Sequence, residues 1–262
     1  MPAKYVTSKD GTRIAFDVSG SGPPLVIVWG ALGVRSSPFA TPMRDALARH
    51  FTVYHYDRRG RGESGDTLPY AVAREVEDLA AVCETAGGSP YVFATSSGAA
   101  LALEAAAAGV PMAGLAAYEP PYMVGDPKDA PPADYLAHVT RLVDEGRRDE
   151  AVKYFMRVVG VPGFLVAVMP FFPFWKDARA AAHTLPYDGA VMGDFKIPEK
   201  RLREIKTPTF ALAGGRTTPT LKAAVAAVAR TVPGAVHREV PKQNHGVKPA
   251  AIAPVLAELF GR

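Results

Sequence analysis

Cysteine is almost missing from this sequence. Cys83 stands alone in 262 residues, so no internal disulfide can form and a reducing compartment is expected. Long apolar runs are missing too. The most apolar stretch, GFLVAVMPFFPFW at 163–175, is interrupted by Pro170 and Pro173 and falls short of the ~20 residues a spanning helix needs. The leading MPAKYVTSKDGTRIAF has no apolar signal core, and the expectation is a cytoplasmic protein without membrane partners. No block of like charge occurs. The net charge of +4 comes from 30 Lys and Arg scattered among 26 Asp and Glu, which argues against nucleic acid as a partner. There is no HExxH, no CxxC and no pair of histidines at ligand spacing, so no metal is expected. The glycines of GSGPP and LAGGR match neither a phosphate loop nor a dinucleotide fingerprint, so no nucleotide cofactor is expected either.

What is present reads as one globular α/β chain. Apolar residues make up 48% and charged residues 21%, and the length is enough to bury a large core. Lys4 to Val18 carries a hairpin pattern around Asp10-Gly11, a strong turn pair. PLVIVWG (24–30), FTVYHYD (51–57), YVFA (91–94), GLAAYE (114–119) and TPTFALAGG (207–215) are apolar on successive positions. That is the pattern of strands covered on both faces. Helical spacing follows at 42–50, 70–86, after Gly98, at 219–231 and at 249–260, with a last strand at 235–240. From Pro120 to about Lys196 the alternation gives way to helices at 133–145 and 150–159, prolines and aromatics. The prediction is a doubly wound, mostly parallel sheet formed by 1–119 and 197–262, with a helical cap inserted at 120–196.

In open parallel sheets, ligands bind beyond the carboxyl ends of the strands. ATSSG, residues 94–98, falls at such an end, with an Ala-rich helix to follow. Small residues on both sides of Ser96 suit a sharp strand–helix turn that exposes the hydroxyl and aims helix N-terminal N–H groups at the same point. Helix capping is the competing role for Ser96 or Ser97. Among six histidines, His245 in KQNHGV is the one placed in the loop after the last strand, where a general base for such a serine belongs.

With these pieces, the chain resembles an α/β-hydrolase of the serine-nucleophile type along nearly its whole length. The hairpin, VWGALG, YDRRGRGES, ATSSGAA, the insertion and NHG carry the resemblance. It implies a cofactor-independent hydrolase with Ser96 as nucleophile, His245 as base and the backbone N–H groups of Ala31 and Ser97 as oxyanion donors. YDRRGRGES is expected to be a structural turn held by Asp57 and arginines. Three positions depart from the commonest pattern: Ala94 for glycine at the start of the elbow, Trp29 for histidine in the oxyanion loop, and Arg216-Thr217-Thr218 where many members carry the triad acid.

Glu119 supplies an acid at the alternative strand end, as in some members including a subset of the haloalkane dehalogenases. The order Ser96, Glu119, His245 keeps the family rule. Asp188 and Asp194 are weaker candidates. Those dehalogenases and the epoxide hydrolases use Asp where Ser96 stands, which argues against alkyl-halide or epoxide opening. Trp29, Tyr122, Phe171, Phe172 and Trp175 are the expected pocket residues for an apolar small-molecule substrate of moderate size bearing an ester-like or other activated carbonyl. A monomer or homodimer is expected. The alternative is a non-hydrolytic ligand-binding protein or shape-selective catalyst on the same scaffold, motivated by Trp29, Ala94 and Arg216.

Overall fold

Asp10-Gly11 turns the chain in the computed structural model, which describes residues 3–124 and 130–261. Gly11 takes φ +86°, a conformation open to glycine. It joins β1 (Lys4–Thr7) to β2 (Arg13–Ser19), which pair antiparallel. Then follow β3 (Pro24–Val28), β4 (Thr52–Tyr56), β5 (Tyr91–Thr95), β6 (Gly114–Tyr118), β7 (Thr209–Gly214) and β8 (Val236–Val240). They form one sheet in the order β1-β2-β4-β3-β5-β6-β7-β8. β2 also runs antiparallel to β4, and every pairing from β4 to β8 is parallel.

The period of two along each strand sends alternate residues to opposite cores. Val26 and Val28 join Val92, Leu115 and the apolar stripes of α2 (Val72–Thr85), α3 (Ser97–Ala107) and α10 (Pro219–Thr231). Leu25 and Ile27 join Phe51, Phe93 and the stripes of α1 (Ala40–Leu47) and α11 (Pro249–Leu259). Each such side chain, fully buried, contributes roughly 2 kcal/mol of transfer free energy. The α/β-hydrolase architecture expected from the sequence is therefore present. The helix expected at 42–50 instead spans Ala40–Leu47, with Pro42 in its first turn, where a missing N–H loses no intrahelical bond.

Alanine is the strongest helix former and the smallest apolar side chain, and α3 uses both properties. Its residues from Ser97 to Leu103 are all buried, so it lies close over the centre of the sheet. Contact is tightest at Gly98, where a Cβ would come 2.5 Å from the Trp29 carbonyl oxygen.

Between β6 and β7 the described residues form α4 (Tyr135–Asp144), α5 (Arg148–Val158), α6 (Gly163–Val168), α7 (Phe174–Ala181), α8 (Leu185–Met192) and α9 (Glu199–Leu202). The first two fall where the apolar spacing predicts them. The next three are six to eight residues long, too short for a 3.6-residue period to stand out among prolines and aromatics. Residues 125–129 of the expected insertion lie outside the described residues. Among the described residues, no helix is long and apolar enough to cross a membrane.

Candidate active site

Ser96 follows β5 directly and opens α3. Its backbone sits at φ 55°, ψ −131°, a region that costs a non-glycine residue about 1–3 kcal/mol and persists only when neighbours fix it. Here they do. Ser96 N–H donates to the Tyr118 carbonyl at 2.9 Å, and the Ser96 carbonyl accepts from Ala99 N–H at 2.9 Å. Room for the turn comes from Gly30, where a Cβ would lie 2.7 Å from the Ser96 Cβ. The Ser96 hydroxyl makes no capping bond to the helix, which removes the competing structural role. Ser97 is committed elsewhere: it is 4% exposed and its hydroxyl donates to Asp188 Oδ1 at 2.7 Å.

Glu119 directly follows β6, fully buried, at φ 48°. Burying a carboxylate is costly unless its lone pairs are satisfied, and here each oxygen has a donor. Oε1 accepts from Gly214 N–H at 2.7 Å, and Oε2 from the Thr217 hydroxyl at 3.1 Å. Oε2 also lies 2.7 Å from His245 Nδ1. The stretch after β7 thus carries no acid, yet Gly214 at the end of β7 and Thr217 just beyond it both donate to the acid that follows β6. The His245 loop is tied to the same strand end by the Tyr118 hydroxyl, which donates to the Asn244 carbonyl at 2.5 Å. Burial, then the neighbouring Glu119 carboxylate, pushes the Tyr118 phenol up. Gly214 admits this arrangement because a Cβ there would come 2.5 Å from the Gln243 carbonyl oxygen.

The other two acids are placed differently. Asp194 is exposed and bridges to Lys196 at 3.2 Å. Asp188 is 3% exposed and accepts from Arg58 at 2.8 Å and Arg61 at 2.7 Å. Burial alone would raise its carboxyl; the Arg61 and Arg58 charges and the Ser97 hydroxyl outweigh that and hold it below the usual range.

YDRRGRGES forms a turn whose charges point inward. Asp57 accepts from the Arg35 backbone and side chain and from Glu63 N–H. Burial pushes its carboxyl up to about 6 against the pull of Arg35. Gly62, at φ 53°, has no space for a side chain: a Cβ would overlap the Asp57 carboxylate. Arg58, Arg59 and Arg61 are each at most 1% exposed. Arg58 pairs with Glu75, and Arg59 with Asp78 and Asp10. The arginines of this turn are visible in the sequence, but nothing local marks that two of them reach Asp188, about 130 positions onward.

The loop that leaves β3 runs from Trp29 through Leu32. Among the described residues, neither Ala31 N–H nor Ser97 N–H has a hydrogen-bond acceptor. The Trp29 indole turns toward β4, donating to His55 Nε2 at 2.5 Å. Burial, then Arg44 and Arg35, depress the His55 imidazole to about 3, so it stays neutral and can accept that bond. Leu32, at φ 60°, and Ala31 pack against a cluster with Tyr135, Val139 and Leu185.

The five expected pocket residues do not share one cavity. Phe171 and Phe172 are 88% and 53% exposed. With Trp175 they line an open cavity of about 700 Å³ that also touches Arg148, Lys176 and Arg179 but none of Ser96, Glu119 or His245. Trp175 itself is buried, its indole donating to Asp149 at 2.6 Å. Tyr122 packs into the core beside α3 and borders a smaller cavity with Glu104 and Arg201. Trp29 faces His55. No group of three or more His, Cys, Asp and Glu among the described residues is placed to hold a metal ion.

A doubly wound sheet with a serine on a strained strand–helix elbow and a buried carboxylate against a loop histidine defines a hydrolase-type scaffold. The chain belongs to the α/β-hydrolase family: the model of that family matches residues 18–255. An α/β hydrolase from Sphaerobacter thermophilus DSM 20745 is 51% identical, covering 98% of this chain and 100% of its own, with a TM-score of 0.91. A thermophilic esterase from Thermogutta terrifontis, solved with malate, shares the fold at TM-score 0.69 and 21% identity, covering 100% of this chain and 98% of its own. So does the enol-lactonase from Burkholderia xenovorans LB400, at TM-score 0.71 and 18% identity over 99% and 100% of the two chains. Hydrolase is the class that the family and the 51%-identical structure share.

Proposed function

We propose that this protein is a cofactor-independent serine hydrolase that cleaves an ester-like or other activated carbonyl in a small, largely apolar substrate. The observation that carries the reading is the 2.7 Å contact between buried Glu119 and His245 Nδ1, in a chain whose elbow serine has no capping role. A carboxylate on Nδ1 fixes the tautomer that leaves Nε2 free to take a proton, and stabilises the imidazolium that forms. Ser96 Oγ attacks the carbonyl carbon as His245 Nε2 takes its proton. The carbonyl oxygen becomes an oxyanion held by Ala31 and Ser97 N–H, which have no competing acceptor among the described residues. Collapse expels the alcohol or other leaving group, protonated by His245, and leaves an acyl-serine. Water, deprotonated by the same histidine, then attacks the acyl-serine and releases the acid. The helices between β6 and β7 act as a cap, and the apolar residues around Ala31 and Leu32 support an apolar acyl group.

Labelling with a fluorophosphonate probe, alongside hydrolysis of p-nitrophenyl butyrate, tests the reading. The expected result is strong labelling and turnover, both lost in Ser96→Ala. A folded wild-type protein that neither labels nor turns over ester would instead favour a non-hydrolytic protein on this scaffold.

A further inference from the structure

We infer that Arg61 and Asp188 are positioning residues for the oxyanion hole, joining the arginine turn and α8 to both of its N–H donors. The inference rests on the hydrolase reading and adds to it the device that orients the donors. In a trans peptide, the carbonyl of one residue and the N–H of the next point in opposite directions from one rigid plane. Arg61 Nη1 donates to the Gly30 carbonyl at 2.8 Å, and the N–H on the far side of that same peptide belongs to Ala31. Fixing the Gly30 oxygen therefore fixes where Ala31 N–H aims. A guanidinium on that oxygen also polarises the amide and makes its N–H a stronger donor. Arg58 Nη1, 3.3 Å from the Trp29 carbonyl, holds the preceding peptide in the same way.

The second donor is reached through Asp188. Its Oδ1 accepts from the Ser97 hydroxyl at 2.7 Å and from Arg58 at 2.8 Å, while its Oδ2 accepts from Arg61 at 2.7 Å. Thr184, just before α8, accepts from Arg61 Nε at 3.0 Å and sets the guanidinium plane. One carboxylate from the inserted helices thus orients two arginines and the side chain of one donor residue. Arg59 makes the comparison clean. It is as buried as Arg61, lies in the same turn and pairs with Asp78 and Asp10, but makes no bond to Trp29, Gly30 or Asp188.

The experiment compares Arg61→Lys, Asp188→Asn, Ser97→Ala and Arg59→Lys. It measures kcat and KM on p-nitrophenyl butyrate, inhibition by an aliphatic trifluoromethyl ketone that adds to the serine as an oxyanion, and thermal midpoint. Loss of a whole oxyanion donor typically costs about 10²–10³ in kcat. Misaiming one should cost Arg61→Lys and Asp188→Asn about 10- to 100-fold in kcat, with KM little changed and ketone affinity falling by a similar factor. Arg59→Lys should lower the thermal midpoint while keeping kcat and ketone affinity per folded molecule. Equal kcat losses in Arg59→Lys and Arg61→Lys, or unaltered kcat in folded Arg61→Lys, would overturn the inference. Should neither cluster variant fold, Ser97→Ala decides: a several-fold fall in kcat with matching loss of ketone affinity supports it, and wild-type values refute it. A wild-type enzyme without turnover or labelling removes the hydrolase reading and this inference together; an active wild type with indifferent variants removes this inference alone.

Discussion

Glu119 and His245 are 126 positions apart in the chain and 2.7 Å apart in space. The contact is made by the ends of adjoining segments: the end of β6 delivers the carboxylate, the end of β7 and the loop after it supply one donor each, and the loop after β8 brings the imidazole. Replacing the carboxylate by an amide keeps the volume but removes the charge that favours the working tautomer. Glu119→Gln is expected to lose up to about 10⁴ in kcat, by the measure of the worked serine-protease triad, with KM little altered. Thr217→Val, which removes one of the donors to Glu119, should cost far less, on the order of tenfold. Steady-state kinetics on a p-nitrophenyl ester separates the two. Equal losses would show that the hydroxyl, and not the charge, carries the effect.

The strained elbow gives a prediction about stability. At φ 55°, Ser96→Gly relieves backbone strain that Ser96→Ala retains. Both should abolish turnover. Ser96→Gly should nevertheless be the more stable of the two, by about 1 kcal/mol after the entropy of the unfolded glycine is subtracted. For a chain of this size, that is a difference of roughly 2–4 °C in thermal midpoint. Differential scanning calorimetry reads it, and the reverse order would count against strain at this residue.

His55 sets a pH dependence. Its folded pKa is lowered to about 3 from 6.5, first by burial. Below pH 6.5 the unfolded chain therefore binds a proton that the folded chain does not, so this stability is present above about 6.5 and is lost progressively as pH falls toward 3. Between pH 7 and pH 5 the loss from this group is about 2 kcal/mol. Urea unfolding at the two pH values should show that loss in the wild type and not in His55→Gln. A parallel pH dependence in both proteins would mean that other groups dominate.

The aromatics between β6 and β7 divide by burial. Trp175 is 6% exposed and hydrogen-bonded, Phe171 88% exposed. Trp175→Ala is expected to cost about 3 kcal/mol, whereas Phe171→Ala should change stability by less than about 0.5 kcal/mol. Chemical denaturation of the two variants checks this directly.

The reach of the sequence differs from residue to residue. The strand–helix turn at Ser96 and the loop position of His245 are legible because a strand–small–Ser–small–helix turn and a loop after the last strand are local patterns. Glu119 could be placed because an acid that closes an apolar run and precedes two prolines is anomalous unless it has partners. Thr217 and Gly214 were out of reach, since their bonds to Glu119 depend on β6 and β7 being neighbours in register, which one-dimensional spacing does not encode. Asp188 is the sharper case. Its place in the chain order admits it as a possible triad acid, and its chemistry as a buried, paired carboxylate fits that idea; its partners are two arginines and Ser97 instead. The pocket was least legible. An aromatic on an amphipathic helix looks the same in sequence whether it faces substrate, a neighbouring helix or water, and Phe171, Trp175 and Tyr122 took three different surroundings.

The bonds of Asp188 also fasten α8 to the rest of the protein. Lifting α8 away from the sheet would strip Arg58 and Arg61 of a shared carboxylate inside a nearly dry interior, and such a separation typically costs several kcal/mol. Tyr187, stacked on Tyr70 at 3.9 Å and donating to Asp66, pins the same helix a second time. Helix α8 is thus held to the body of the protein at two points, whereas α6 and the segment before α7 carry exposed side chains such as Phe164 and Phe171. Substitutions in that exposed segment leave the buried charges paired, while a substitution that removes the Asp188 carboxylate unpairs two buried arginines at once.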